Sequence, residues 1–163
     1  MKKIVRTLAV VLVLGVVFVS CSKDDEDGNG PVVVEKSNLL GKYKVTEAVV
    51  ATAIDSNGDG VSSNDLLKEG YNACTYDNLV EITEINFIYR MQGKACDATE
   101  TDQINTYVIS EDKKTITVSK DGKVIETLKS VELDKNSKGQ SEMYFSKYDT
   151  TLKQDVFFTL QKI

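Results

Sequence analysis

From residue 104 to its end the chain is a succession of short runs rich in Thr, Val, Ile, Tyr and Phe, separated by polar turns. Residues 104–110, 115–119, 124–133, 143–148 and 155–163 each read as a strand, because such side chains fit a pleated, half-buried surface. Lys120-Asp121-Gly122 is a strong hairpin signal, since Gly122 tolerates a positive φ. The run 124–133 is expected to break near Lys129, and residues 134–139 form a polar turn. Upstream, Tyr43, Val45, Val49 and Ala51 alternate with Lys42, Lys44, Thr46 and Ala48. This period of two puts one strand face on a core. Residues 78–82 and 87–91 supply two further strands. About eight strands, no long helix and no strand–helix alternation leave an antiparallel sandwich or barrel.

The N-terminus carries an address rather than a fold. Lys2, Lys3 and Arg6 precede an apolar run over residues 8–19. As a helix that run spans about 18 Å, short of a hydrocarbon core of roughly 30 Å. It therefore reads as an export signal, residues 1–20. Ser20-Cys21 at its end resembles a bacterial lipobox. The resemblance implies cleavage before Cys21 and acylation of that residue, with palmitate among the chains; the plain alternative is a secretory signal with an incidental Cys. Two or three acyl chains on one residue anchor stably. Ser22-Lys23-Asp24-Asp25-Glu26-Asp27 resembles the acidic tether of Bacteroidota surface lipoproteins. A flexible tether over residues 21–37, lipid-anchored to the outer membrane and facing the cell exterior, is the expectation. The folded domain is then expected over residues 38–163.

The whole chain of 163 residues has a net charge of −5, and losing the signal with its three cations makes the remainder more acidic. Such a balance without basic clusters argues against nucleic-acid partners. There is no His, which removes Ser-His and Cys-His nucleophile activation and any His-ligated zinc. No enzyme is expected. Glu81 and Glu84 either project into a barrel mouth or form the polar side of a strand, the commoner case. In an exported chain Cys74 and Cys96 read as a disulfide, against the alternative of two buried thiols.

Leu40-Gly41-Lys42-Tyr43, the Asn- and Asp-rich loop, Cys74, Asp77-Asn78, Cys96 and the closing meander resemble the lipocalin-like domains of Bacteroidota lipoproteins. The resemblance implies an antiparallel, up-and-down barrel of about eight strands. It leaves two functions open. One is a surface binding module whose cup holds a small apolar ligand. The other is a non-catalytic structural or interaction subunit of an outer-membrane complex, with a filled barrel. Tyr43, Phe87, Tyr89, Tyr107, Tyr144, Phe145, Phe157 and Phe158 are the aromatic set that fills or lines it, with core the preferred place for most.

One loop carries an ion-binding pattern. Asp55, Asn57 and Asp59 occupy positions 1, 3 and 5 of a loop with Gly60 at position 6, as in calcium-binding loops. Leu66 stands where the closing carboxylate belongs, and Asp65 lies one place early. Either Asp55, Asn57, Asp59 and Asp65 converge on calcium, or the segment is a polar turn.

Overall fold

The computed structural model of this chain describes residues 32–92, 96 and 101–163. The signal (1–20), Cys21 and the tether as far as residue 31 lie outside the described residues. Nine strands form one antiparallel sheet: β1 (Gly41–Ile54), β2 (Ser63–Asp65), β3 (Leu79–Ile82), β4 (Asn86–Arg90), β5 (Gln103–Ile109), β6 (Thr115–Lys120), β7 (Lys123–Lys135), β8 (Ser141–Asp149) and β9 (Gln154–Lys162). β1 pairs with both β3 and β9, which closes β1 and β3 to β9 into an eight-stranded up-and-down barrel. β2 is a short addition on the far half of β1, where β3 no longer reaches. No helix among the described residues is long and apolar enough to cross a membrane.

The first strand does not keep the alternation read from its sequence. Val45 pairs with Leu160 and Glu47 with Thr159, so Thr46 is an extra residue opposite one step of β9. Its hydroxyl donates to the Thr159 carbonyl at 3.1 Å. A bulge of this kind flips the side-chain phase. Tyr43 is buried before it, and Ala48 and Val50 are buried after it. Val49 and Ala51, expected on the same face as Tyr43, therefore point outward.

A second bulge explains the expected break near Lys129. Lys129 pairs with Ser146 and Glu132 with Tyr144, which leaves one residue too many on β7. Ser130 absorbs it with a φ of 51°. Between β6 and β7, Asp121 and Gly122 both have positive φ (51° and 75°), as a type I′ hairpin demands. The Gly-free turn between β3 and β4 is held by Thr83, whose hydroxyl accepts the Asn86 N–H at 3.0 Å.

One end of the barrel is closed by the residues before β1. Val32 bridges to Leu133, Val34 is buried, and the single-turn helix α1 (Lys36–Leu39) inserts a fully buried Leu39. The Tyr43 hydroxyl donates to the Leu39 carbonyl at 2.9 Å, and burial pushes its pKa up to about 12. Val32 and Val34 thus pack onto the barrel ahead of β1, while Val33, Glu35, Lys36 and Ser37 are exposed.

Candidate functional site

The opposite end of the barrel is where a ligand cup would open. Segment 66–78 lies across it. Leu66 is fully buried, and α2 (Ala73–Tyr76) places the buried Tyr76 ring edge-on against Phe158, 5.5 Å between centroids. Phe158 in turn stacks on Phe145 at 5.2 Å. Phe87 packs edge-on against Tyr89 and Tyr107. Of the expected aromatic set, Tyr43, Phe87, Tyr107, Phe145 and Phe158 are buried. Tyr89 and Tyr144 are partly buried, and Phe157 is on the outside. The void left beneath Tyr76 is about 50 Å³. Ligand pockets usually measure about 300–1,000 Å³. The interior is filled by its own side chains.

A cluster of polar groups stands at the rim. Tyr89 donates its hydroxyl to the Glu126 carboxylate, whose other oxygen binds Lys147 Nζ. That ammonium also lies 5.4 Å from the centroid of the Phe158 ring. Deeper in, Asn105 is buried and its Oδ1 has no hydrogen-bond partner among the described residues. A cleft of about 250 Å³ outside the rim is bordered by Asn78, Tyr89, Gln103 and Lys147. Burial raises the Tyr76 pKa well above the ordinary tyrosine value, with the charge of Asp149 adding to it.

Cys74 and Cys96 are joined as a disulfide with their Cα atoms 5.1 Å apart. The bond fastens α2 to the connection between β4 and β5, so it secures the cover over the mouth. Glu81 and Glu84 do not enter that mouth. Val80 and Ile82 take the inward positions of β3, and Glu81 faces out to Arg90 Nε at 2.6 Å. Arg90 also binds Asp102 at 2.6 Å. The hydrogen bond from Arg90 and a second from the Met91 N–H hold the Asp102 carboxyl below its usual range. Glu84 is exposed in the β3–β4 turn, where its carbonyl accepts Lys36 Nζ.

The acidic loop does not assemble the expected ligand set. Asp55 accepts the Gly58 and Gly60 N–H groups at 2.8 and 2.9 Å. Asp59 accepts the Val61 N–H and the Asn57 side-chain amide. Asp65 turns away from them: it accepts the Leu67 and Lys68 N–H groups and pairs with Lys68 Nζ at 3.3 Å. Among the described residues no three His, Cys, Asp or Glu side chains group to hold a metal ion. The loop is tied down instead by Glu69, a buried carboxylate that accepts the Ser56 N–H. Thermal melts in millimolar calcium and in chelator should therefore coincide. Asp55→Ala should cost about 1 kcal/mol under both conditions. A calcium-dependent rise in melting temperature that Asp65→Ala removes would restore the ion-binding reading.

A partly apolar groove on the outer wall escaped the sequence reading. Glu47, Thr159, Tyr144 and Glu132 form one cross-strand row over β1, β9, β8 and β7, and Val49, Phe157, Ser146 and Lys129 form the next. Ser146 and Thr159 are buried although they face outward, because they floor a groove of about 390 Å³. Phe157 is 54 % exposed above them and Val49 37 %. The two bulges set the rims. Each shifts the side-chain phase so that Glu47 and Glu132 point into the groove from opposite sides. Neither carboxylate has an ion-pair partner among the described residues. Lys129 borders the β7–β8 seam instead.

That seam is open near the mouth. β7 and β8 pair only between Lys129↔Ser146 and Lys135↔Ser141. Residues 123–128 keep β6 alone as partner, and 147–149 keep β9 alone. No family model, curated protein or solved structure matches the chain.

Proposed function

We propose that this chain is a non-catalytic interaction module, anchored by lipid at Cys21 to the outer membrane and facing the exterior. Its barrel is a rigid scaffold that binds through its outer wall. The observation that carries this reading is the interior. Five buried aromatic rings and the Tyr76 cover leave about 50 Å³, room for a water or two and not for a small apolar ligand. The wall supports the same reading, since exposed Phe157 and Val49 sit beside Glu132 and beside Glu47, which accepts the Thr159 hydroxyl at 2.9 Å and, like Glu132, has no ion-pair partner among the described residues. The carboxylates nearest the mouth are engaged: Glu126 with Lys147 and Tyr89, Glu81 and Asp102 with Arg90.

The test is occupancy of the interior. The protein, extracted mildly and weighed intact by native mass spectrometry, should carry no small apolar molecule. An anilinonaphthalene dye should show no saturable one-to-one binding that quenches on adding a fatty acid. A stoichiometric ligand lost on substitution of Phe145 or Phe158 would sink the filled-barrel reading in favour of a cup.

A further inference from the structure

We propose that the Cys74–Cys96 bond is a redox latch: cutting it frees α2, withdraws the Tyr76 ring from the barrel mouth and opens an interior site for a small neutral amphiphile. The inference goes beyond the interaction-module reading, because it concerns the reduced chain, whereas the filled interior belongs to the oxidised one.

Tyr76 is the plug. Its buried ring meets Phe158 with 5.5 Å between centroids and borders the void of about 50 Å³. The cleft of about 250 Å³ outside the rim is bordered by the same Thr75, Asn78, Tyr89, Glu126 and Lys147 that border the void. Thr75 and Asn78 belong to the cover, so α2 is the partition between the two spaces. With the ring withdrawn, void, ring site and cleft join into one space that reaches the roughly 300 Å³ of a small-ligand pocket. The floor of that space is apolar, made by Val80, Phe87, Phe145, Phe158 and Leu160. Its rim is polar but offers no spare cation, since Lys147 is engaged by Glu126. An apolar body with an uncharged, hydrogen-bonding head suits that lining.

The cover can part at this point while its base stays fixed. Leu66 is fully buried, and its N–H donates to the Ala48 carbonyl at 2.8 Å. Beyond it Gly70 and Asn72 both take positive φ, 64° and 48°, so the chain turns sharply just before α2. A single helical turn does not hold itself together once untied. The bond that ties it is within reach of a reagent, because Cys96 is exposed and Cys74 half-buried. A thiolate of a dithiol reductant attacks Cys96 Sγ, the bond between the two sulfurs breaks, and Cys74 leaves as a thiolate. α2 is free at that step. The second thiolate of the reductant then displaces Cys96, and the reductant departs as a cyclic disulfide. Two electrons and two protons pass to the protein, whose cysteines end as thiols. Only the open state admits a ligand, so the oxidised chain binds in proportion to the small fraction open, and cutting the bond raises that fraction.

The full chain, extracted in mild detergent, tests the latch by photolabelling with a trifluoromethyl-diazirinyl benzyl alcohol, whose aromatic body and hydroxyl head match the site. Adducts are mapped by peptide mass spectrometry before reduction, and again after dithiothreitol has been added and removed. Reduction should raise labelling at Phe145, Phe158 and Leu160 about tenfold or more. Excess benzyl alcohol should abolish that gain, while Phe157 on the outer wall labels equally in both states. Cys74→Ser with Cys96→Ser should label the interior without dithiothreitol and ignore its addition. Tyr76→Ala should label the interior with the bond intact. Retained amide protection in β8 and β9 checks that the reduced barrel stays folded. Interior labelling unchanged by reduction, or a gain that spreads over every strand or resists benzyl alcohol, would overturn the latch and leave the filled barrel as it stands. Saturable interior labelling of the oxidised chain would overturn the filled-barrel reading itself, and the latch with it.

Discussion

Phe158→Ala is expected to lower the unfolding free energy by about 3–5 kcal/mol, while Phe157→Ala changes it by less than about 0.5 kcal/mol. The two residues are neighbours in β9 on opposite faces of one sheet. Phe158 is 5 % exposed, between Phe145, Tyr76 and the Lys147 ammonium. Its removal would leave a cavity that this stiff shell cannot collapse to fill, so both transfer and cavity costs apply. Phe157 is 54 % exposed at the edge of the groove, so much less apolar surface is lost with it. Urea unfolding of both variants measures the difference, with unchanged slope required for the comparison. Phe158→Ala should also begin to bind an apolar dye, because the enlarged void joins the one beneath Tyr76. Equal stabilities for the two variants would mean that the interior is not packed as described.

The rim ion pair fits the same picture. Glu126 and Lys147 reach each other across the part of the β7–β8 seam that has no backbone pairing. They hold together what the ladder does not. Tyr89 satisfies the other carboxylate oxygen, which limits the desolvation cost of placing a charge beside the aromatic cluster. A filled barrel with a polar rim needs no ligand to complete its core.

Strand content and antiparallel order were legible because strands and turns have local signatures. The 120–122 hairpin and the run 115–119 read directly from period-two patterning and Gly122. The phase of β1 after Thr46 was not, since a bulge depends on what lies opposite, and Leu160 and Thr159 are more than a hundred residues away. In retrospect the sequence does hint at it. Tyr43 and Val45 are apolar on odd numbers, and Ala48 and Val50 on even. The outer groove could not be read at all, because Glu47 and Glu132 meet Phe157 only through four-strand register. Tyr76 was missed because its helix is a single turn without periodicity. The acidic loop left two readings open for a physical reason: Asp and Asn at alternate positions suit a cation, and they suit backbone N–H groups equally well.

Loss of the Cys74–Cys96 bond is expected to destabilise the fold by about 3 kcal/mol, the loop-entropy value for a closure of this size. The bond spans 22 positions in sequence and joins α2 to the connection between β4 and β5. Without it the cover is held by buried Leu66, whose N–H donates to the Ala48 carbonyl, by the Tyr76 ring on Phe158 and by the Tyr71 hydroxyl, which donates to Asp149 at 3.1 Å. Those contacts are few, and the segment between residues 66 and 78 has only turns and one short helix of its own. For a folded unit of this size the expected fall in melting temperature is about 10 °C. Melts with and without dithiothreitol measure it, and Cys74→Ser with Cys96→Ser should melt like the reduced protein and ignore the reductant. Amide exchange should localise the effect: residues 72–78 should lose protection first, while β8 and β9 should keep theirs under native conditions. Equal melting of oxidised and reduced protein would show that packing alone keeps the mouth closed, and that the bond adds nothing to the cover.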